Sequence, residues 1–197
     1  MNTLFPVFLK LEKLHSLIVG GGYVAHEKLT AILANAPESA ITLVAPEIRA
    51  DILELIHSKP QIRAIKRAFR SEDLDGKDLV FVATNVPGLN REIKEMASER
   101  HLLVNVADTP DLCDFYLSSI VRKGNLKLAI STNGLSPTLA KRLREVLTEA
   151  LPDNLETAMQ QLNAVREYLK GDFAQKVEEL NAITEGLVKK NAPGDTE

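Results

Sequence analysis

Three consecutive glycines lie between an apolar run and a segment with helical spacing. Residues 20–25 (GGGYVA) fit the pattern G-x-G-x-x-A, directly after a predicted strand at 15–20. In that setting Gly20 permits a tight turn, Gly22 lets the backbone approach a pyrophosphate, and Ala25 allows the helix to pack closely on the strand. Amides at the start of the helix would bind the anion. The turn predicts nucleotide binding, and the alternative is a glycine turn that only connects two elements.

Polar side chains follow three further apolar runs, at the places where predicted strands end. In an open α/β sheet, ligands bind beyond the carboxyl ends of the strands. Asp108 is the strongest candidate among them for a catalytic role, because a carboxylate at a strand end can accept or donate a proton. An aspartate before Thr109 and Pro110 is also common turn chemistry, and spacing alone favours that role. The stretches are 83–85 (ATN), 105–108 (NVAD) and 131–134 (STNG).

The second predicted strand, residues 41–45, ends without the acidic residue that usually binds the ribose hydroxyls of a dinucleotide. Pro46 follows the strand, and Glu47 lies just beyond the expected place. Arg49, which could bind a 2′-phosphate, is close but is not at that place either. The strand end therefore gives only a slight preference for NAD over NADP.

Apolar strands alternate with amphipathic helices through the first half of the chain. This alternation predicts an α/β fold with a Rossmann-type parallel sheet built by right-handed crossovers. The sheet is expected to place the glycine turn and the polar strand ends at one edge. The predicted strands are 15–20, 41–45, 62–67, 79–84 and 102–107, and the predicted helices are 24–35, 47–57 and 89–100.

The alternation stops after Asp108. One more strand is predicted at 126–132, followed by a helix that Ser136 caps and Pro137 begins. Residues 153–190 have two helical apolar stripes. The first stripe is Leu155, Met159, Leu162, Val165 and Leu169, and the second, after a break near Gly171, is Phe173, Val177, Leu180, Ile183 and Leu187.

Composition excludes several classes of protein. A net charge of -3 gives no global basic field, so no nucleic-acid partner is expected. No apolar run reaches the roughly 18 residues of a membrane span, and the N-terminus lacks the features of a signal peptide. One cysteine, Cys113, suits a reducing compartment, and we expect a cytoplasmic protein. The four histidines show no metal-ligand spacing, so no metal site is expected.

Six stretches of the chain, taken together and in order, resemble the siroheme synthase family. That family includes single-chain precorrin-2 dehydrogenases and the N-terminal half of a multifunctional bacterial enzyme. The resemblance spans about residues 4–152, and no single stretch is sufficient alone. The stretches are 6–11 (PVFLKL), 19–25 (VGGGYVA) with Lys28, 44–46 (VAP), 104–108 (VNVAD), 113–116 (CDFY) and 130–137 (ISTNGLSP).

The resemblance implies a homodimer of three-part chains with intertwined central regions. On this basis we expect residues 1–112 to form an NAD-binding Rossmann domain and residues 113–150 a small α+β dimerisation region. Residues 151–190 are expected to form a helical C-terminal domain, and residues 191–197 a disordered tail.

The resemblance also implies an activity, the oxidation of precorrin-2 to sirohydrochlorin with NAD as acceptor. Some members also insert ferrous iron into sirohydrochlorin, and the sequence does not decide whether this chain does. The family ties catalysis to the aspartate that corresponds to Asp108. The implied cofactor contacts are Gly20, Gly22, Tyr23, Val24, Pro46, Glu47, Thr84, Asn85 and Asn105.

Precorrin-2 is a polycarboxylate, so a protein with net negative charge needs a local basic patch to bind it. Basic residues cluster on the helix after Ser136, although such a cluster is usually only a solvated face. Without the methyltransferase domain of the multifunctional enzyme, this chain is expected to receive precorrin-2 from another protein. The candidate substrate-binding residues are Arg122, Lys123, Ser131, Asn133, Lys141 and Arg142, with Arg144 nearby.

Two other functions remain open at this point. A non-catalytic NAD-binding module that senses redox state would share the glycine turn and the sheet, but would not need Asp108, Asn133 or the basic helix. A dehydrogenase for a different small substrate is the second alternative. The absence of a histidine or lysine directly after the fifth strand argues against the familiar hydroxy-acid enzymes.

Overall fold

The computed structural model describes residues 3–168, 175–178 and 180–182. The chain divides into two compact units, Met1–Leu117 and Ser118–Glu197. The domain boundaries expected at residues 112 and 150 stay predictions. The first unit contains β1 (His15–Val19), α1 (Tyr23–Asn35), β2 (Ala40–Ala45), α2 (Ala50–Ile56), β3 (Ile62–Lys66), β4 (Leu79–Val82), α3 (Pro87–Glu99) and β5 (Leu103–Val106).

The five strands of the first unit form one parallel sheet in the order β3-β2-β1-β4-β5. This confirms the predicted Rossmann-type α/β fold. Val19, the last residue of β1, is in register with Val44 of β2 and Val82 of β4. Strands β2 and β3 lie on one side of β1 in the sheet, and β4 and β5 lie on its other side. The carboxyl end of β1 is thus the point of reversal at which such sheets bind ligands.

Both faces of this sheet are covered, which explains why its strands read as continuous apolar runs. On one face, Leu29 of α1 and Ile52 of α2 pack over Ile18 and Phe81. On the other face, Ile93 of α3 packs over strand residues that include Val80. All of these side chains are fully buried, and burial of each stabilises the fold by roughly 1.5–3 kcal/mol.

A short 3-10 helix, Ser71–Leu74, connects β3 to β4 where a longer crossover helix could stand. Asp73 fixes this connection, because its buried carboxylate accepts two hydrogen bonds from Arg67 and one from the amide of Arg70. Leu74 packs into the core beneath it. The connection is compact because polar bonds at its start and an apolar side chain at its end hold it to the sheet.

The second unit contains an antiparallel hairpin and helices: β6 (Ser119–Lys123), β7 (Leu126–Ile130), α4 (Pro137–Ala150) and α5 (Leu155–Tyr168). Strand β6 was not predicted, because its sequence SIVRK mixes apolar and charged residues over only five positions. The predicted cap of α4 is confirmed, since Ser136 Oγ accepts a hydrogen bond from the amide of Leu139 at 3.1 Å.

The end of the chain is described only in part. Helix α5 confirms the first helical segment predicted after residue 153, and Val177 and Leu180 of the second predicted stripe also lie in helical stretches. The break near Gly171 and the predicted disordered tail 191–197 lie outside the described residues, as do Leu169, Phe173, Ile183 and Leu187. Within the described ranges, every helix is too short or too polar to cross a membrane.

Candidate functional site

The three glycines after β1 meet three different spatial requirements. Gly20 has φ +124°, and a Cβ there would overlap the backbone carbonyl oxygen of Ala83 after β4. A Cβ on Gly21 would overlap the carbonyl oxygen of Glu47 after β2. A Cβ on Gly22 would meet no atom within 4 Å. Two glycines are therefore required by the fold, whereas the third leaves open space beside the backbone.

Helix α1 begins directly behind this open space. Its N-cap is Gly22, which has no side chain to cap the first amides, and its first turn has no acidic residue. The amides at the start of a helix lack partners within the helix and lie at the positive end of its dipole. The open position at Gly22 and the uncapped amides fit a dinucleotide pyrophosphate, as the sequence predicted for Gly20 and Gly22.

The turn after β2 is joined to the glycine turn. The amide of Arg49 donates to the carbonyl of Gly21 at 3.0 Å. The guanidinium carbon of Arg49 lies 5.9 Å from the centre of the Tyr23 ring, and Asp51 binds the same guanidinium at 2.6 Å. Predicted cofactor contacts on these two turns are exposed at Tyr23, Pro46 and Glu47 and half-buried at Val24.

The turn after β4 contains two of the predicted cofactor contacts. One of them is hydrogen-bonded within the protein, and the other is exposed. The hydroxyl of Thr84 donates to Asn90 Oδ1 and accepts the amide of Val86 at 3.2 Å, which fixes the start of α3. Asn85 is exposed at the same edge of the sheet. Of these two residues, Asn85 is the one whose side chain is open to a ligand.

Asn105, in β5, has its amide engaged within the protein. The side chain is 4% exposed; its Oδ1 accepts from Lys28 Nζ at 2.9 Å, and its Nδ2 donates to the carbonyl of Phe115 at 2.8 Å. Its role as a cofactor contact stays a prediction. Lys28 lies in one of the family stretches, but helical spacing does not reveal that its side chain reaches β5.

Asp108 is exposed just beyond the carboxyl end of β5, at the sheet edge that carries the glycine turn. Its φ is +54°. Few non-glycine residues adopt this left-handed conformation, and aspartate is among those that tolerate it. Such backbone conformations cluster at functional sites. The geometry presents a carboxylate to solvent at the edge where ligands bind such sheets.

The segment after Asp108 returns to β5 and is tied there. The Cys113 thiol accepts the amide of Val106 at 3.2 Å and donates to its carbonyl at 3.1 Å, and burial raises the pKa of this thiol. Asp114 accepts the amide of Val104 at 2.9 Å and pairs with Lys94 at 2.6 Å. These contacts hold both ends of the loop that carries Asp108.

The predicted substrate-binding residues of the second unit lie at two ends of its hairpin. Ser131 and Asn133 follow β7, where Ser131 Oγ accepts the amide of Asn133 at 3.2 Å. Arg122 and Lys123 lie at the other end, about 13 Å away along the strands. The structure therefore does not bring all six residues into one patch of this unit. Lys141 and Arg142 are exposed on the second turn of α4.

Lys123 and Arg142 each pair with an acidic residue. Lys123 Nζ lies 2.6 Å from Asp153, and Arg142 lies 2.7 Å from Glu145. Both pairs are on the surface, and exposed pairs contribute at most about 1 kcal/mol, so a polycarboxylate can compete for these cations. In the part of the chain that the structure describes, no group of three or more histidine, cysteine or acidic residues could hold a metal ion.

Two family models match the chain. The model described as putative NAD(P)-binding matches residues 7–119, and the model described as sirohaem biosynthesis protein, central, matches residues 123–150. A solved structure titled SirC, precorrin-2 dehydrogenase, superposes with a TM-score of 0.71 at 30% identity. That comparison covers 91% of this chain and 89% of the other.

Curated relatives carry the name siroheme synthase. The protein of Vesicomyosocius okutanii subsp. Calyptogena okutanii is 34% identical over 175 residues, which is 89% of this chain and 37% of that protein. The protein of Pseudoalteromonas translucida is 32% identical over 196 residues, which is 98% of this chain and 41% of that protein. The chain thus spans about two fifths of the length of these relatives.

Proposed function

This chain belongs to the siroheme synthase family, and from that premise we propose that it oxidises precorrin-2 to sirohydrochlorin with NAD as the acceptor. The observation that carries the proposal is the position of Asp108. Its carboxylate is exposed at φ +54° at the carboxyl end of β5, on the edge of the sheet that also carries the glycine turn. A candidate cofactor-binding turn and a candidate base therefore lie at the same edge of the sheet.

Binding of the cofactor is assigned to the glycine turn and its neighbours. Gly22 and the first amides of α1 would hold the pyrophosphate, while Tyr23 and Glu47 flank the ribose end. Asn85, exposed after β4, is a further candidate contact. When bound, NAD supplies the acceptor for the hydride that leaves precorrin-2.

The oxidation removes a hydride and a proton from precorrin-2, so the protein needs a proton acceptor. Asp108 is assigned that role because it is an exposed carboxylate whose loop is tied to β5. A positioned base of this kind accelerates proton transfer by about a hundredfold to ten-thousandfold. Ser131, Asn133, Lys141 and Arg142 are proposed to bind carboxylates of the tetrapyrrole; Arg122 and Lys123 stay predictions.

A homodimer is part of the proposal. Helix α4 and the turn before it expose a row of apolar side chains at helical spacing, and rows of this kind on soluble proteins mark contact surfaces. A cytoplasmic location is also proposed, on the single cysteine of the chain. The row consists of Leu135, Leu139, Leu143 and Val146.

An anaerobic assay with precorrin-2 and NAD tests the activity. We expect NADH to form with the wild-type protein and the rate to fall at least about a hundredfold in Asp108→Asn. Asp111→Asn, an exposed residue of the same loop, is the matched control and should retain the rate. Wild-type protein that binds NAD but forms no NADH would instead favour a redox-sensing module. Addition of sirohydrochlorin and Fe²⁺ in a separate assay decides iron insertion.

A further inference from the structure

The turn between β7 and α4 contains an asparagine that is followed directly by a glycine, Asn133 and Gly134. Their φ angles are +54° and +77°, and the amide of Leu135 donates to the carbonyl of Thr132 at 3.0 Å. Two central residues with positive φ are typical of a type I′ turn, for which asparagine followed by glycine is the preferred pair. The backbone of the turn therefore explains why these two residues occur together here.

The same pair places two groups that can react with each other at adjacent positions in solvent. Both residues are exposed. Within the residues that the structure describes, the side-chain amide of Asn133 and the backbone amide of Gly134 form no hydrogen bond. A Cβ on Gly134 would meet no atom within 4 Å, so no neighbouring group blocks a rotation that brings the two amides together.

The other asparagines differ from Asn133 in the residue that follows them. Each of them precedes a residue with a side chain, which hinders approach of the following backbone nitrogen. Some are also held by the fold: Asn90 and Asn105 are 6% and 4% exposed, and the amide of Asn125 donates to Glu156 at 2.6 Å. Asn133 is thus the asparagine whose side chain is the most open to attack by its own backbone.

We propose that Asn133 is a site of spontaneous covalent modification. The nitrogen of Gly134 attacks the side-chain carbonyl carbon of Asn133, a new C–N bond forms, and the side-chain nitrogen leaves as ammonia with the proton of the Gly134 amide. The product is a five-membered succinimide. Water then adds to one of the two ring carbonyls and breaks its bond to the ring nitrogen, which leaves aspartate or isoaspartate. The net change replaces NH by O, and water is the only co-reactant.

This modification adds a negative charge to a residue that the proposed function assigns to binding of the tetrapyrrole, so its consequence for activity rests on that function. Asn133 is neutral, whereas both products carry a carboxylate. Like charges at close range repel, so the new carboxylate should repel the carboxylates of precorrin-2. The modified protein should therefore bind precorrin-2 less tightly, while NAD binding at the first unit should not change.

Mass spectrometry of peptides from the incubated full chain tests the modification without any substrate. After prolonged incubation at mildly alkaline pH, the peptide that contains Asn133 should gain the mass of an exchange of NH for O before any other asparagine peptide does. It should also accept methyl groups from protein isoaspartyl methyltransferase. In Gly134→Ala the added Cβ hinders the attack, and both signals should be lost. If Gly134→Ala does not fold, Asn133→Gln replaces it, because its longer side chain disfavours the five-membered ring.

An Asn133 peptide that stays unmodified while another asparagine reacts, or equal modification in Gly134→Ala, would overturn the proposal. Asn133→Asp tests the effect of the charge: it should raise the KM for precorrin-2 at least about fivefold, with an unchanged KM for NAD. Asn154→Asp adds the same charge at an exposed position before α5 and should change neither value. An unchanged KM for precorrin-2 in Asn133→Asp would exclude the effect on binding. If the wild-type protein forms no NADH, the proposed function fails and the mass measurement still decides the modification.

Discussion

The backbone carbonyl of Glu47 occupies the space in which a side chain of Gly21 would begin. The amide of Arg49 donates to the carbonyl of Gly21 at 3.0 Å, so the turns after β1 and β2 are packed and hydrogen-bonded to each other. Two neighbouring glycines of this turn, Gly21 and Gly22, therefore have different functions. Gly21 is required for the packing of the turns, and Gly22 for the open space beside α1.

Alanine substitutions at these two positions should therefore have different effects. Gly21→Ala should lower the free energy of unfolding by about 1–3 kcal/mol, because the Cβ forces the two turns apart. Gly22→Ala should leave stability nearly unchanged, since its backbone is extended and nothing lies within 4 Å of the added carbon. It should weaken NAD binding, because the methyl group takes up the ligand's space. Urea denaturation and titration calorimetry measure the two effects, and equal NAD affinity in Gly22→Ala would count against the site.

The pair formed by Arg49 and Asp51 should influence the choice between NAD and NADP. Asp51 holds the guanidinium with contacts at 2.6 and 3.0 Å, which leaves it poorly available for a 2′-phosphate. We expect Asp51→Asn to improve the affinity for NADP relative to NAD by about three- to tenfold, because a charge-assisted bond to the phosphate becomes available. Calorimetric titration with each nucleotide measures the ratio. Adding Arg49→Gln to this variant should cancel the gain, and a gain that persists would exclude Arg49 as its source.

The carboxylate of Asp73 should stabilise the first unit in a pH-dependent way. Its side chain is 6% exposed, and hydrogen bonds from Arg67 hold its pKa below the usual range. Its contribution is present above the unfolded-state pKa of about 3.9 and is lost as pH falls through the lower folded-state value. Asp73→Ala should reduce the unfolding free energy by about 2–3 kcal/mol at pH 7.

Urea denaturation of both proteins between pH 7 and pH 2 checks this dependence. The difference between wild type and Asp73→Ala should shrink as the pH falls below about 4. Asp75→Ala serves as the control because the side chain of Asp75 is 67% exposed and its contact with Arg100 is 3.5 Å long. That variant should change stability by less than about 0.5 kcal/mol.

The apolar row on α4 should mediate self-association. Leu143 lies within this row, and a glutamate there would place a charge in a contact that excludes water. We expect the wild-type chain to sediment as a dimer and Leu143→Glu to sediment as a monomer, as measured by sedimentation velocity. Thr138→Glu adds the same charge at an exposed polar position of the helix and should leave the dimer intact. A dimer that tolerates Leu143→Glu would place the contact elsewhere.

The sheet could be predicted from the sequence because its strands are buried on both faces. β4, for example, is apolar at all four positions, and helix α3, which follows it, has clear helical spacing. Strand β6 could not be predicted, because each of its faces mixes apolar and charged residues and the antiparallel partner is not visible from local pattern. The glycine turn was predictable for a similar local reason: it lies directly between a strand and a helix.

Local pattern alone determined the Rossmann-type sheet, the glycine turn and the cap of α4, whereas the catalytic candidacy of Asp108 came from the family resemblance. The tertiary structure decided what each side chain contacts. It revealed that Gly21 packs on Glu47, that Asn105 is held by Lys28, and that Arg122 and Ser131 lie at opposite ends of one hairpin. The physical reason is sequence separation: spacing within an element sets burial and periodicity, whereas Lys28 and Asn105, 77 residues apart, meet only after the sheet has formed.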